Sequence, residues 1–234
     1  MFRSIFLYVT LAAAPLMAAS PPRVLAWDEE IAGRKLAFVV GKELIKLEGL
    51  SSLRRTPPLA LKAAGPYQIR ALDKTPGPDA KPIELNCPIP ETVEKPLIVL
   101  IPDKVHPTGL RVIVVDDNPA GFRWGSYRFL NATPKELIVQ LEKKAVKVPT
   151  GWKPVDLDLG GETRGIGARI ALSESIEVPL YSAVWEYNTN IRTLCFLVPG
   201  DDPRLSPVAF KAIPEDKIML QIEAKDQQTA DKNG

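Results

Sequence analysis

One apolar stretch constrains this chain of 234 residues more than any other. Residues 97–115 read LIVLIPDKVHPTGLRVIVV, an apolar run, a polar turn with Pro107 and Gly109, and then a β-branched run. Two such runs around a turn predict a pair of antiparallel strands. Residues 194–212, LCFLVPGDDPRLSPVAFKA, have the same layout, with Pro199 in the place of Pro102. The match predicts that the chain contains two copies of one β-sandwich unit.

A second match supports the same interpretation. The text KELIKLE begins at Lys42, and KELIVQLE begins at Lys135. Both stand near the start of their unit, so we expect them to occupy equivalent places.

The rest of the chain predicts an all-β fold. It has 23 prolines, short β-branched runs and frequent turn signals, and its apolar residues follow no sustained helical period. Residues 134–144 are rich in helix formers, but their flanking strands and repeat partner favour a strand. We predict two tandem antiparallel immunoglobulin-like β-sandwiches, residues 23–117 and 118–223, followed by a disordered polar tail, residues 224–234.

Net charge argues against a nucleic-acid partner. The chain has 30 Lys and Arg residues against 28 Asp and Glu residues, a net charge of +2, with both signs interspersed. Binding to phosphates requires clustered Lys and Arg, and no such cluster is visible.

The first 19 residues have the layout of a secretory signal peptide. Arg3 precedes an apolar run, and the small residues Ala18 and Ala19 precede the expected cleavage site. The run is too short for a membrane anchor and contains Pro15. We expect the mature protein to be located in the periplasm or outside the cell and to have no membrane-spanning segment. Cys87 and Cys195 lie in different units, which favours two buried free thiols over a disulfide.

Three segments carry a resemblance to known proteins: YRFLNATP followed by LIVQL, residues 127–141; PLYSAVWEY, residues 179–187; and RTLCFLVPGD, residues 192–201. They resemble a secreted bacterial family of tandem immunoglobulin-like β-sandwich repeats of unknown function. The resemblance covers most of residues 125–214. It implies a sandwich fold and export, and it supplies no catalytic residue.

Conventional catalytic and metal sites find little support. His106 is the single histidine and lies in a turn, where a solvated side chain is the favoured interpretation. The sequence has no G-x-S-x-G motif, and one histidine with two separated cysteines does not form a zinc ligand set. We therefore predict no catalytic residue, no metal and no cofactor.

Two pairs of carboxylates offer a different chemistry. Asp116 and Asp117 lie at the predicted domain joint, and Asp201 and Asp202 follow the second apolar run. Oxygen ligands of this kind suit calcium, but Asp before Pro or Gly is also an ordinary turn former, and we favour the turn. If both pairs reached one cleft, they would suit glycoside hydrolysis.

Aromatic residues are the other candidates for binding. Tyr181, Trp185 and Tyr187 share one face of a strand and are predicted to be core. Trp124 and Trp152 lie in loops beside glycines, either as platforms for sugars or as lids that close the ends of a sandwich. We expect Phe122 and Trp124 at the joint to bury against the first unit.

Two classes of function stay open. The first is an exported, non-catalytic binding or structural module of the cell envelope, whose partner is an unidentified protein or glycan. The alternative is a carboxylate-dependent hydrolase acting on glycans at the inter-domain cleft. The candidate ligand-binding residues are Trp124, Trp152, Asp116, Asp117, Asp201 and Asp202.

Overall fold

The computed structural model describes residues 20–59, 66–77, 80–202 and 204–233. The predicted signal peptide, residues 1–19, lies outside these residues. The first half contains β1 (Arg23–Ala26), α1 (Glu29–Ala32), β2 (Leu36–Val40), β3 (Glu43–Lys46), β4 (Tyr67–Ala71), β5 (Glu84–Cys87), β6 (Pro96–Pro102) and β7 (Leu110–Asp116). The second half contains β8 (Ser126–Asn131), β9 (Leu137–Leu141), β10 (Lys144–Val148), β11 (Val155–Asp158), β12 (Arg164–Leu172), β13 (Ser175–Tyr187), β14 (Ile191–Asp202), β15 (Ser206–Asp216) and α2 (Lys217–Asn233).

The described strands form four sheets, numbered here in the order in which they stack. Sheet 1 has the strand order β3-β2-β4-β5, and sheet 2 has β1-β6-β7. Sheet 3 has the order β11-β8-β14-β15, and sheet 4 has β10-β9-β12-β13. A first core lies between sheets 1 and 2, a middle core between sheets 2 and 3, and a last core between sheets 3 and 4. The all-β prediction is confirmed.

The apolar stretches in the sequence are the central strands of the two inner sheets. In β6, Ile98 and Leu100 point into the first core, whereas Leu97 and Val99 point into the middle core. The strand is therefore buried on both faces, which explains an unbroken apolar run in place of alternation. In β14, likewise, Cys195 and Leu197 face the last core while Leu194 and Phe196 face the middle core.

The strands pair in the same order in the two halves. The hairpin of β6 and β7 is antiparallel, and β1 joins β6 as a parallel neighbour. The hairpin of β14 and β15 is antiparallel as well, and β8 joins β14 as a parallel neighbour. Both predicted hairpins are thus present, with an extra edge strand, β11, in sheet 3.

The match between KELIKLE and KELIVQLE does not mark equivalent places. The first copy forms β3, which pairs with β2 at the edge of sheet 1. The second copy forms β9, an inner strand that pairs with both β10 and β12. By its pairing, β9 corresponds to β2, so the prediction of equivalence is wrong. The two copies also differ in burial, since β3 is largely exposed whereas alternate residues of β9 are buried. The strand prediction for residues 134–144 is confirmed in β9.

The strand order also differs from that of an immunoglobulin constant-type domain. In that order the first strand pairs with the second, and the third strand crosses over to pair with the sixth. Here β1 pairs with β6, and β3 stays beside β2. The second half departs from the immunoglobulin order in the same way, because β8 pairs with β14 and β10 pairs with β9.

The carboxyl-terminal segment is a helix, not the disordered tail that its polar composition predicts. Helix α2 runs directly on from β15. The Asp216 carboxylate accepts hydrogen bonds from the N–H groups of Ile218 and Met219, at 2.7 and 3.5 Å. This cap and a run of strong helix formers outweigh the polar composition.

The packing of Phe122 in the middle core allows a test of how tightly the two halves are joined. Phe122 has no exposed surface and packs among residues of sheets 2 and 3. Replacing Phe122 with Ala should lower the free energy of unfolding by about 3–5 kcal/mol, because a cavity opens where both halves meet. Urea unfolding measures the change. Val184→Ala is the control, because that side chain is 78% exposed. A loss for Phe122→Ala no larger than that of the control would contradict the assignment.

Candidate functional site

The joint between the halves is held by a buried ion network. The Asp117 carboxylate lies 3.0 Å from the Arg55 guanidinium and 3.2 Å from that of Arg192. Arg23 reaches Glu215 at 2.6 Å and Asp117 at 3.5 Å. Arg192 also donates to Glu215, at 2.8 Å from Nε. These five side chains come from β1, the segment after β3, the joint, β14 and β15, so the network connects both halves.

The network controls the charge state of its buried acid. Burial by itself would raise the pKa of Glu215, but attraction to Arg55, Arg192 and Arg23 outweighs burial and lowers it. Glu215 therefore stays ionised at neutral pH, as its three cationic neighbours require.

A cavity of about 350 Å³ opens beside this network. We call it the joint cavity, and its walls include Arg23, Lys95, Asp117, Trp124 and Arg192. The guanidinium of Arg192 lies 4.9 Å from the centre of the Trp124 ring, a cation–π contact that fixes the ring at the cavity wall. Two of the predicted site residues, Trp124 and Asp117, thus come together here.

Asp116 is next to the cavity but serves the turn. Its carboxylate accepts hydrogen bonds from the N–H groups of Lys95 and Asn118, at 3.0 and 3.3 Å. Asp117 is buried against arginines, as described above. Each carboxylate at the joint therefore already has structural partners.

The second pair of carboxylates lies far from the first. Arg192, which contacts Asp117, is at the start of β14, and Asp201 follows nine residues later on the same strand. At the rise of an extended chain, this separation is about 30 Å. Asp202 accepts hydrogen bonds from the N–H groups of Arg204 and Leu205 in the hairpin turn. The structure does not bring the four carboxylates into one cleft.

Trp152 packs between the halves and is not a free platform. Its ring lies 5.6 Å from that of Trp27 and 6.1 Å from that of Phe196, and the Arg111 guanidinium covers it at 5.1 Å. Trp27 and Arg111 belong to the first half, so Trp152 is a contact across the middle core. Its backbone has a left-handed φ of 67°, a costly conformation for a bulky residue that the surrounding contacts stabilise.

A second cavity, of about 340 Å³, opens along the side of the last core. We call it the edge cleft, because it lies between β13 and β15, which are edge strands of sheets 4 and 3. Trp185 and Phe210 form its aromatic wall, with ring centres 5.0 Å apart. Tyr127 and Cys195 lie at its base, and Thr193 and Asn188 add polar groups.

The groups at the base of the edge cleft are chemically inert at neutral pH. Burial raises the pKa of the Cys195 thiol well above its ordinary value, so the nucleophilic thiolate does not form. Burial is also the main reason that the pKa of Tyr127 rises to about 12. The Tyr127 hydroxyl donates to the Glu186 carbonyl oxygen at 3.1 Å. The cleft can hold an apolar group but has no activated acid, base or nucleophile at its base.

The aromatic face of β13 packs against the last core, as the sequence predicts. Tyr187 is buried in the last core, and Tyr181 and Trp185 pack against that core, as expected. The edge cleft itself was not predicted, because Phe210 reaches Trp185 only through the stacking of sheets 3 and 4. The arginines of the ion network were also missed, since they are scattered along the chain and no local motif unites them.

Other predicted groups have ordinary surroundings. Both Cys87 and Cys195 are buried free thiols, as predicted. His106 Nδ1 lies 2.7 Å from the Thr108 hydroxyl within the turn after β6. Among the described residues, no three acidic, histidine or cysteine side chains come together as a metal site. No helix in the described part of the chain is both long and apolar enough to cross a bilayer.

Comparison with known proteins adds no relative to this picture. No protein-family model matches the sequence, and no curated protein matches it significantly.

The ion network predicts a specific loss of stability in acid. Because the pKa of Glu215 is lowered on folding, its contribution to stability is complete above its unfolded pKa, roughly 4.3, and is lost as pH falls toward the lower folded value. The free energy of unfolding should therefore fall more steeply between about pH 4 and pH 2 in the parent than in Glu215→Gln. Urea unfolding across this range measures both slopes, and equal slopes would contradict the prediction.

Proposed function

We propose that this protein is a non-catalytic binding module that holds a small uncharged aromatic or aliphatic group in the edge cleft. The observation that carries the proposal is the aromatic wall of Trp185 and Phe210 beside an unfilled space of about 340 Å³. Small-molecule pockets in proteins begin at roughly 300 Å³ and combine an apolar lining with a few polar groups. The edge cleft has both properties.

The wall of the cleft is held in place by a network of rings. Tyr181 lies 5.1 Å from Phe210 in an edge-to-face arrangement, and its hydroxyl accepts a hydrogen bond from Trp185 Nε1 at 3.0 Å. Trp185 in turn lies 5.7 Å from Tyr127. Because each ring is fixed by at least one other, a ligand would lose little affinity to ordering the wall.

Prolines in the two strands beside the cleft favour a small ligand over an added β-strand as its occupant. Pro179 interrupts β13, and Pro207 and Pro214 interrupt β15. Proline lacks the N–H group that an added strand would bond, so these edges are protected against continuous β-pairing. The apolar space between them remains open to a compact group.

The proposed setting is the cell envelope. The signal-peptide pattern of residues 1–19 supports export, and the shared pairing order of the two halves supports an origin by duplication of one sandwich unit. The resemblance to secreted tandem immunoglobulin-like repeats is part of the same proposal. The ligand would then reach the protein outside the cytoplasm, as a free molecule or as an apolar group of an envelope protein or glycan.

An uncharged fluorescent probe tests the cleft directly. N-phenyl-1-naphthylamine fluoresces strongly in apolar surroundings, and we expect it to bind the parent protein with one saturable site. Ala212 lies opposite Cys195 on β15 and lines the cleft. Ala212→Leu would fill the space and should weaken binding roughly tenfold or more, as steric changes of this size do in apolar pockets.

A matched variant separates cleft binding from general surface adsorption. Val184→Leu makes a change of similar kind on the outer face of β13, where the side chain is exposed. It should bind the probe as the parent does. Equal binding by the parent and Ala212→Leu, or weakening by both variants, would show that the probe does not occupy the edge cleft.

A further inference from the structure

The ion network at the joint has one more positive charge than negative. Its members in direct contact are the guanidinium groups of Arg23, Arg55 and Arg192 and the carboxylates of Asp117 and Glu215, which sum to +1. Four of these side chains are nearly inaccessible to solvent, and only Arg23 reaches it, so water can offset the excess only at Arg23. Each arginine has an acidic partner, so the excess is a net charge of the whole cluster and not an unpaired side chain.

The excess charge faces the joint cavity. Arg23 is the most exposed of the three arginines, with 21% of its side chain accessible, and it lines the cavity together with Lys95. The nearby carboxylates of Asp116 and Glu94 accept hydrogen bonds from backbone and amide groups. Within the described residues, neither of them forms an ion pair with an arginine. An anion in the cavity would compensate the network.

The remaining walls are apolar. They include the Trp124 ring and four prolines, Pro21, Pro58, Pro96 and Pro119. A hydrated inorganic anion would leave this apolar surface uncovered. A carboxylate attached to an apolar ring satisfies both parts of the cavity, because its charge meets Arg23 and its ring meets Trp124.

We infer that the joint cavity binds a monocarboxylate with an apolar body, which completes the ion network between the two halves. The site is separate from the edge cleft and does not depend on the function proposed for it. Bound there, the ligand touches Arg23 and Pro21 of the first half and Trp124 of the second. Its binding should therefore raise the stability of the whole protein.

Calorimetric titration with phenylacetate tests the inference, with 2-phenylethanol as the uncharged counterpart. We expect phenylacetate to bind the parent and 2-phenylethanol to bind at least tenfold more weakly, about the effect of one charge-assisted hydrogen bond. Arg23→Gln should weaken phenylacetate by a similar factor and leave 2-phenylethanol unchanged. It should also fold, because two arginines then face two carboxylates.

Two further variants test whether the charge and the ring of the ligand are recognised in the joint cavity. Arg164→Gln removes an exposed guanidinium paired with Glu142 on sheet 4 and should bind phenylacetate as the parent does. Trp124→Leu retains every charge of the network and should weaken phenylacetate while leaving the weaker binding of acetate unchanged. The inference is overturned if phenylacetate and 2-phenylethanol bind alike, if Arg23→Gln matches the parent, or if chloride binds as tightly as phenylacetate.

Discussion

Burial of the inner sheets on both faces is the constraint on which the rest of this structure depends. Sheets 2 and 3 each lie between two apolar cores, so their central strands, β6 and β14, have no face left for solvent. A chain of this kind cannot separate its halves without exposing the middle core. The four sheets therefore form one continuous stack, despite the turn-rich sequence between the two halves.

The polar side chains at the joint follow from the same constraint. Where the inner sheets meet the surface, the backbone of the turn at residues 117–122 must be satisfied, and Arg192 donates to the carbonyl oxygens of Asp117 and Phe122 at 2.9 and 3.2 Å. The same guanidinium lies 5.0 Å from the Phe122 ring. One arginine thus connects the apolar core, the turn and the two buried acids. Desolvation offsets much of the attraction within a buried network of this kind.

The two cavities lie where this packing is incomplete. The edge cleft lies between the edge strands β13 and β15, and the joint cavity lies between Pro21, the turn at the joint and α2. The two have opposite chemistry. The edge cleft has aromatic walls above a neutral thiol, whereas the joint cavity has guanidinium groups above a proline-rich wall. This contrast in lining is the basis for the two different ligands proposed above.

The strands and hairpins follow from local patterns in the sequence. Alternating and unbroken apolar runs marked the strands, and the turn residues after Pro102 and Pro199 marked both hairpins, because side-chain period and turn chemistry are local properties. The same local reasoning failed for β3 and β9, whose similar text accompanies different burial: β3 is largely exposed at a sheet edge, whereas alternate residues of β9 are buried.

Which strand faces meet depends instead on how the sheets pack. Arg23, Arg55 and Arg192 are separated by 32 and 137 residues in the chain, yet they converge on Asp117. The segment of Arg55 lies beside β1, and β14 faces β1 across the middle core. Asp201 is near Arg192 in sequence but lies at the far end of the same strand. Trp152 and Phe210 likewise acquire their roles from the opposing sheet. Distance in space between residues of different sheets follows from how the sheets stack, and no local pattern in the chain records that order.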